Sequence, residues 1–190
     1  MFKRGFKSWC EEISLQLRKQ LRLSTDAPLD SFKLAGHMGV ILKTPNDFKK
    51  LAATTRARLL GKHADSWSAF TITSGRKPMI VYNCVQSAAR TASNLMHELA
   101  HIILGHRPAK LFLSASGIPL RTHDKDQEDE AAWLAGCLLL PRPILLVIAR
   151  GKMAESDACA EYGVSRDLLK YRMNVSGVNV QLRRARAYLS

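Results

Sequence analysis

Asn94-Leu95-Met96-His97-Glu98-Leu99-Ala100-His101-Ile102-Ile103-Leu104-Gly105-His106 is the stretch on which the reading of this chain turns. Within it, His97-Glu98-x-x-His101 spaces two histidines four residues apart. At about 100° per residue they fall roughly 40° from one another, one turn along a helix. Both imidazoles can then reach one metal ion, and Glu98 lies in the same sector, placed to act on a water at the metal. Leu95, Leu99, Ile102 and Ile103 occupy the opposite side and would anchor the helix in a core. Gly105 is a natural C-terminal stop. The bland alternative is a buried helix whose histidines are satisfied core residues.

At 190 residues the chain suits one well-packed domain, with or without a small helical appendage. Lys and Arg number 29 against 16 Asp and Glu. The excess, densest in residues 1–22 and 166–186, fits nucleic acid, an acidic partner or mere solubility. Cys10, Cys84, Cys137 and Cys159 lie far apart with no CxxC pairing, which suits a reducing cytosol and argues against a disulfide framework. The basic N-terminus runs into a charged amphipathic segment with no apolar core, so no secretion signal is expected. Ala131–Ala149 approaches a spanning length with a single charge, but Pro141-Arg142-Pro143 interrupts it. Two buried helical pieces joined by a turn are expected there, and no membrane association.

Taken in order, Phe6–Leu23 is an amphipathic helix through Trp9, Ile13, Leu17 and Leu21. Asp30 caps a second helix that ends at Gly39, and Val40–Lys43 is a short strand. Asp47–Leu60 is a weaker helix closed by Gly61. Trp67–Thr73 and Pro78–Tyr82, joined through Ser74-Gly75-Arg76-Lys77, form a hairpin that completes a sheet of about three strands. The histidine helix spans Ala88–Leu104. Leu111–Thr122 reads as a loop or a short helix. Asp124–Leu140 is a helix with an acidic first turn, and Ile144–Arg150 is another. Asp157–Ser176 resembles a helix-turn-helix, with Gly163 at the turn and Ser165 as the second N-cap.

A catalytic zinc takes three protein ligands and keeps one position open. The pattern is not HExxHxxGxxH, because Gly105 and His106 follow His101 at four and five residues. His106 therefore falls behind a ligand or on the surface. Glu130, in Asp129-Glu130-Ala131-Ala132-Trp133-Leu134-Ala135-Gly136, is the favoured third ligand. The small residues at 131, 132, 135 and 136 allow its helix to approach another closely. Glu128 points to a different face and is the runner-up, and acidic residues are also common at helix starts without any further role.

Together these segments resemble the ImmA/IrrE family of small metallopeptidases. The resemblance is carried by His97–His106, by Glu130-Ala131-Ala132 through Leu138-Leu139-Leu140-Pro141, by Ile80–Asn83 with Arg90, and by Tyr162–Ser165 with Tyr171–Met173. It is close over residues 67–178 and looser before them. Ala132 stands where the family usually has Asn, and Leu134 where Phe is common. The resemblance implies an α+β, mainly helical fold: a zincin-like, gluzincin-type metallopeptidase core with a small antiparallel β-sheet and a C-terminal helix-turn-helix-like segment. Residues 1–150 would form the metallopeptidase domain, and 151–190 a helical segment packed on it. It also implies a bacterial cytosolic enzyme that cleaves a helix-turn-helix repressor and so frees stress-response or mobile-element genes.

On this reading His97, His101 and Glu130 bind Zn²⁺, with another divalent metal such as Mn²⁺ open, and Glu98 is the general base. Tyr171, Arg172, His123 and Tyr82 are open candidates for an oxyanion donor. Arg166, Lys170 and Arg172 would line the approach of an acidic protein substrate. The rival reading is a DNA-binding regulator with a metal-binding domain, resting on residues 157–176 and the net charge. A third, an inactive metallopeptidase scaffold, is disfavoured by the intact His97, Glu98 and His101. Oligomeric state is left open.

Overall fold

The computed structural model describes residues 2–74, 77–107, 111–113, 119–121 and 124–187. Two helices, α4 (Ala88–Ile103) and α5 (Lys125–Leu139), pack against each other at its centre. Each begins with a side-chain cap. Ser87 accepts from the Arg90 N–H, and Asp124 accepts from those of Asp126 and Gln127. Leu95, Met96, Leu99 and Ala100 of α4, with Ala131, Leu134, Cys137 and Leu138 of α5, are fully excluded from water and form the middle of the core. Ile102 and Ile103 pack at its margin.

A three-stranded sheet flanks α4. Strands β2 (Ala69–Ser74) and β3 (Lys77–Tyr82) form the expected hairpin, and β1 (Ile41–Lys43) lies on the far side of β3, giving the order β1-β3-β2. The sheet is mixed where a wholly antiparallel one was expected. β1 runs parallel to β3, with Leu42 opposite Ile80, because the chain crosses through α3 (Ala53–Leu60) and β2 before returning to β3. In β2, Thr71 stands opposite Ile80. Directly opposed residues share a face, and Ile80 is fully buried, so Thr71 points toward the side that carries α4. Leu111–Leu113 and Pro119–Arg121, read as loop or short helix, are strands β4 and β5 of an antiparallel pair.

The remaining helices surround this pair. They are α1 (Phe6–Gln20), α2 (Ser31–His37, capped by Asp30), α6 (Arg142–Ala149), α7 (Glu155–Tyr162), α8 (Arg166–Val175) and α9 (Val178–Ala187). The turn between α7 and α8 is as expected: Gly163 has φ +60°, and Ser165 accepts from the Leu168 N–H. α9 lies within the helical segment expected over residues 151–190, although the sequence marks no bounds for it. Among the described residues no single helix is long and apolar enough to cross a membrane; α5 and α6 together have such a composition but bend by 64° at the break between them.

The C-terminal end of α5 is held by buried side chains from two other helices. Ser14 Oγ donates to the Cys137 carbonyl at 2.7 Å, and Arg18 Nη2 donates to that of Leu138 at 2.7 Å. Arg172 of α8 donates to the Leu140 carbonyl through Nε (3.3 Å) and Nη2 (3.1 Å). These cations satisfy carbonyls that a helix end leaves without partners, and they complement its negative pole. Gly136 makes room for the contact: a Cβ there would lie 2.9 Å from Arg172 Cδ. Arg172 is thus a packing element. That corrects the expectations that it lines the substrate approach or donates to an oxyanion.

Candidate metal centre

His97 and His101 lie one turn apart on α4, with their Nε2 atoms 3.1 Å from each other. A carboxylate from α5 closes the group, and it belongs to Glu128. Glu128 Oε2 is 3.0 Å from His97 Nε2, and Oε1 is 3.5 Å from His101 Nε2. Glu130, the expected third ligand, is instead paired with His106, its Oε2 3.1 Å from His106 Nε2. The reason is helical phase. Residues two apart diverge by about 200°, so the two carboxylates leave α5 in different directions, Glu128 toward His97 and His101 and Glu130 toward His106. Glu128 shares its stripe with Ala131 and Ala135, three and seven residues on, both buried. The small residues that permit close approach therefore mark the side of Glu128.

The donor set fits a divalent metal. With bonds of about 2.0–2.2 Å, two ligand atoms of a tetrahedral ion stand roughly 3.3–3.5 Å apart; here the three donor groups approach one another at 3.0–3.5 Å. Two imidazole nitrogens and a carboxylate form one of the combinations used by catalytic zinc. Burial, with the His97 imidazole beside it, pushes the pKa of His101 down to about 4. The ring is therefore neutral at neutral pH, with a lone pair to offer, as metal ligation requires.

Glu98, next to His97, is only 3% exposed. Thr71 Oγ1 donates to its Oε2 at 2.6 Å, so the sheet orients this carboxylate from the β2 side. This contact was not anticipated; the link between His106 Nδ1 and His101 Nδ1, at 2.9 Å, puts His106 behind a histidine of the cluster, one of the two places expected for it. The alternation along β2, which sets Ala69 and Thr71 on one face, was the available signal for the Thr71 contact. Of the other candidates, Tyr171 is 45% exposed and meets Trp133 edge-on, while Tyr82 stacks edge-on with Phe32. His123 lies outside the described residues.

None of the curated proteins matches the chain. Residues 48–174 do match the IrrE N-terminal-like domain, Peptidase_M78, a span that takes in both α4 and α5 and bears out the resemblance read from them. The chain belongs to this family and is a metallopeptidase of the IrrE/ImmA type.

Proposed function

We propose that the protein is a zinc-dependent endopeptidase, acting in the cytosol, whose substrate is a helix-turn-helix transcriptional repressor. The observation that carries the hydrolytic part is the convergence of His97, His101 and Glu128 next to a buried Glu98 that Thr71 holds in place. Bound there, a divalent cation supplies Lewis acidity toward water and the scissile carbonyl. Glu98 takes the proton of the attacking water as the new C–O bond forms, and delivers it to the amide nitrogen as the C–N bond breaks. Thr71, by donating to Oε2, keeps the carboxylate turned for both transfers. Among the described residues β2 pairs only with β3, so its outer edge can receive an extended stretch of substrate backbone.

Thr71→Val should therefore slow turnover about tenfold, the lower range for losing a hydrogen bond that orients a site residue. KM and metal content should stay as in wild type. Steady-state kinetics on a cleavable peptide beside a metal assay would check this, and a change confined to KM would contradict the orienting role. The substrate is tested by co-expressing the chain with a repressor encoded near its gene. Discrete repressor fragments are expected, and they should vanish with Glu98→Gln. An intact repressor under conditions where other proteins are cut would remove the repressor from the proposal.

The rival reading as a DNA-binding regulator draws on α7 and α8, whose exposed face carries Arg166 and Lys170. Its own test is tight, sequence-selective binding of duplex DNA that survives a salt series.

A further inference from the structure

We propose that Glu130 and His106 form a positioning relay behind His101, fixing which of its ring nitrogens faces the metal centre; this rests on the metallopeptidase reading above. Local backbone chemistry builds the first link. Gly105 adopts φ +65° just past the end of α4. The Gly105 N–H then donates to the Ile102 carbonyl (3.1 Å), and the His106 N–H reaches back to the His101 carbonyl (3.0 Å). This is the Schellman termination of a helix, for which glycine is the usual residue. It ties the backbone of His106 to that of His101, and their rings meet with Nδ1 atoms 2.9 Å apart. Glu130, one turn of chain beyond the helix start of α5, closes on the far nitrogen of His106 at 3.1 Å.

The protons along this row can be arranged in one way only while both rings are neutral. A carboxylate accepts and cannot donate, so the proton of His106 must sit on Nε2. Its Nδ1 is then a bare acceptor, which obliges His101 to carry its own proton on Nδ1. That leaves His101 Nε2 with a free lone pair, and Nε2 is the atom that faces His97 Nε2 and Glu128. With the side chain of His106 only 8% exposed, water competes little for these contacts. The relay thus selects the tautomer that can bind metal and holds the ring plane in place, the service that carboxylates commonly perform for metal-bound histidines. It also gives Glu130 a role distinct from that of Glu128.

The experiment is zinc affinity by chelator competition, at one fixed pH, with the visible spectrum of the cobalt-substituted protein as a second readout. His106→Leu keeps bulk but offers no acceptor, and zinc binding should weaken about 10- to 100-fold with an unchanged circular dichroism spectrum. His106→Asn places an oxygen near the lost Nδ1 and should recover most of that affinity. Glu130→Gln should weaken binding less than His106→Leu. The cobalt bands of all three should keep the wild-type shape, whereas Glu128→Gln, which removes a proposed ligand, should alter them. Wild-type affinity in His106→Leu, or no recovery with Asn, would overturn the relay while leaving the metal centre standing. Loss of metal with Glu130→Gln and retention with Glu128→Gln would place Glu130 on the metal and overturn it too. A wild-type protein that takes up neither zinc nor cobalt would overturn the metal centre and the relay together.

Discussion

Replacing Glu98 by Gln should leave metal content at the wild-type level and slow peptide cleavage at least 100-fold. The two effects separate because the residue stands beside the donor set without belonging to it. His97, His101 and Glu128 supply the converging atoms, and all three survive the exchange. Glutamine has nearly the shape of glutamate, and its amide oxygen can still accept from Thr71 Oγ1, so the packing of a residue only 3% exposed is preserved. What disappears is a base able to take a proton from water, an effect worth typically 10²- to 10⁴-fold. His97→Ala, by contrast, should lose metal and activity together. The measurement pairs metal analysis of purified protein with single-turnover cleavage. If Glu98→Gln cut at the wild-type rate, the proton would travel by another route. If it lost its metal, Glu98 would have to be counted among the ligands.

How far this site could be read from the sequence depends on whether a feature is set by local periodicity or by tertiary contact. The pairing of His97 with His101 follows from 3.6 residues per turn, and the β2–β3 hairpin follows from alternation around a glycine-containing turn. Both are found where expected. The third donor was harder. Glu128, Asp129 and Glu130 succeed one another at a helix start, where acidic residues are favoured for reasons unrelated to metal, so residue type could not separate them. Phase could have done so, since Ala131 and Ala135 share a stripe with Glu128. Arg172 was misread because an arginine on a charged amphipathic helix resembles a solvated one. Its burial depends on Gly136 and on the end of α5, 36 residues upstream at the glycine and close only in the fold. The parallel pairing of β1 is likewise invisible locally, since a strand of three residues carries no sign of its partner's direction.

Arg172→Met should destabilise the protein by about 3 kcal/mol, the lower end of the range for removing one partner of a buried ion pair. Arg172 is fully buried, with Nη2 2.7 Å from Glu11 Oε1, and Nε and Nη2 on the Leu140 carbonyl. Methionine fills much of the space but leaves that carbonyl and one side of the Glu11 carboxylate without a donor. Two observations favour the low end. Glu11 is 21% exposed and also accepts from the Arg142 N–H, so it is not stranded. Arg172 Nη1 is itself buried with no hydrogen-bond partner among the described residues, a cost that the substitution relieves. For a domain of this size, 1 kcal/mol corresponds to roughly 2–4 °C, so the melting temperature should fall by about 6–12 °C. Lys170→Met, on the exposed side of the same helix, should stay within about 0.5 kcal/mol of wild type. Thermal and urea unfolding of both variants would decide. An Arg172→Met protein that melted with wild type yet cut its substrate poorly would mean that this arginine works at the cleft. One that melts early, with normal cleavage at low temperature, is what a clamp on the end of α5 requires.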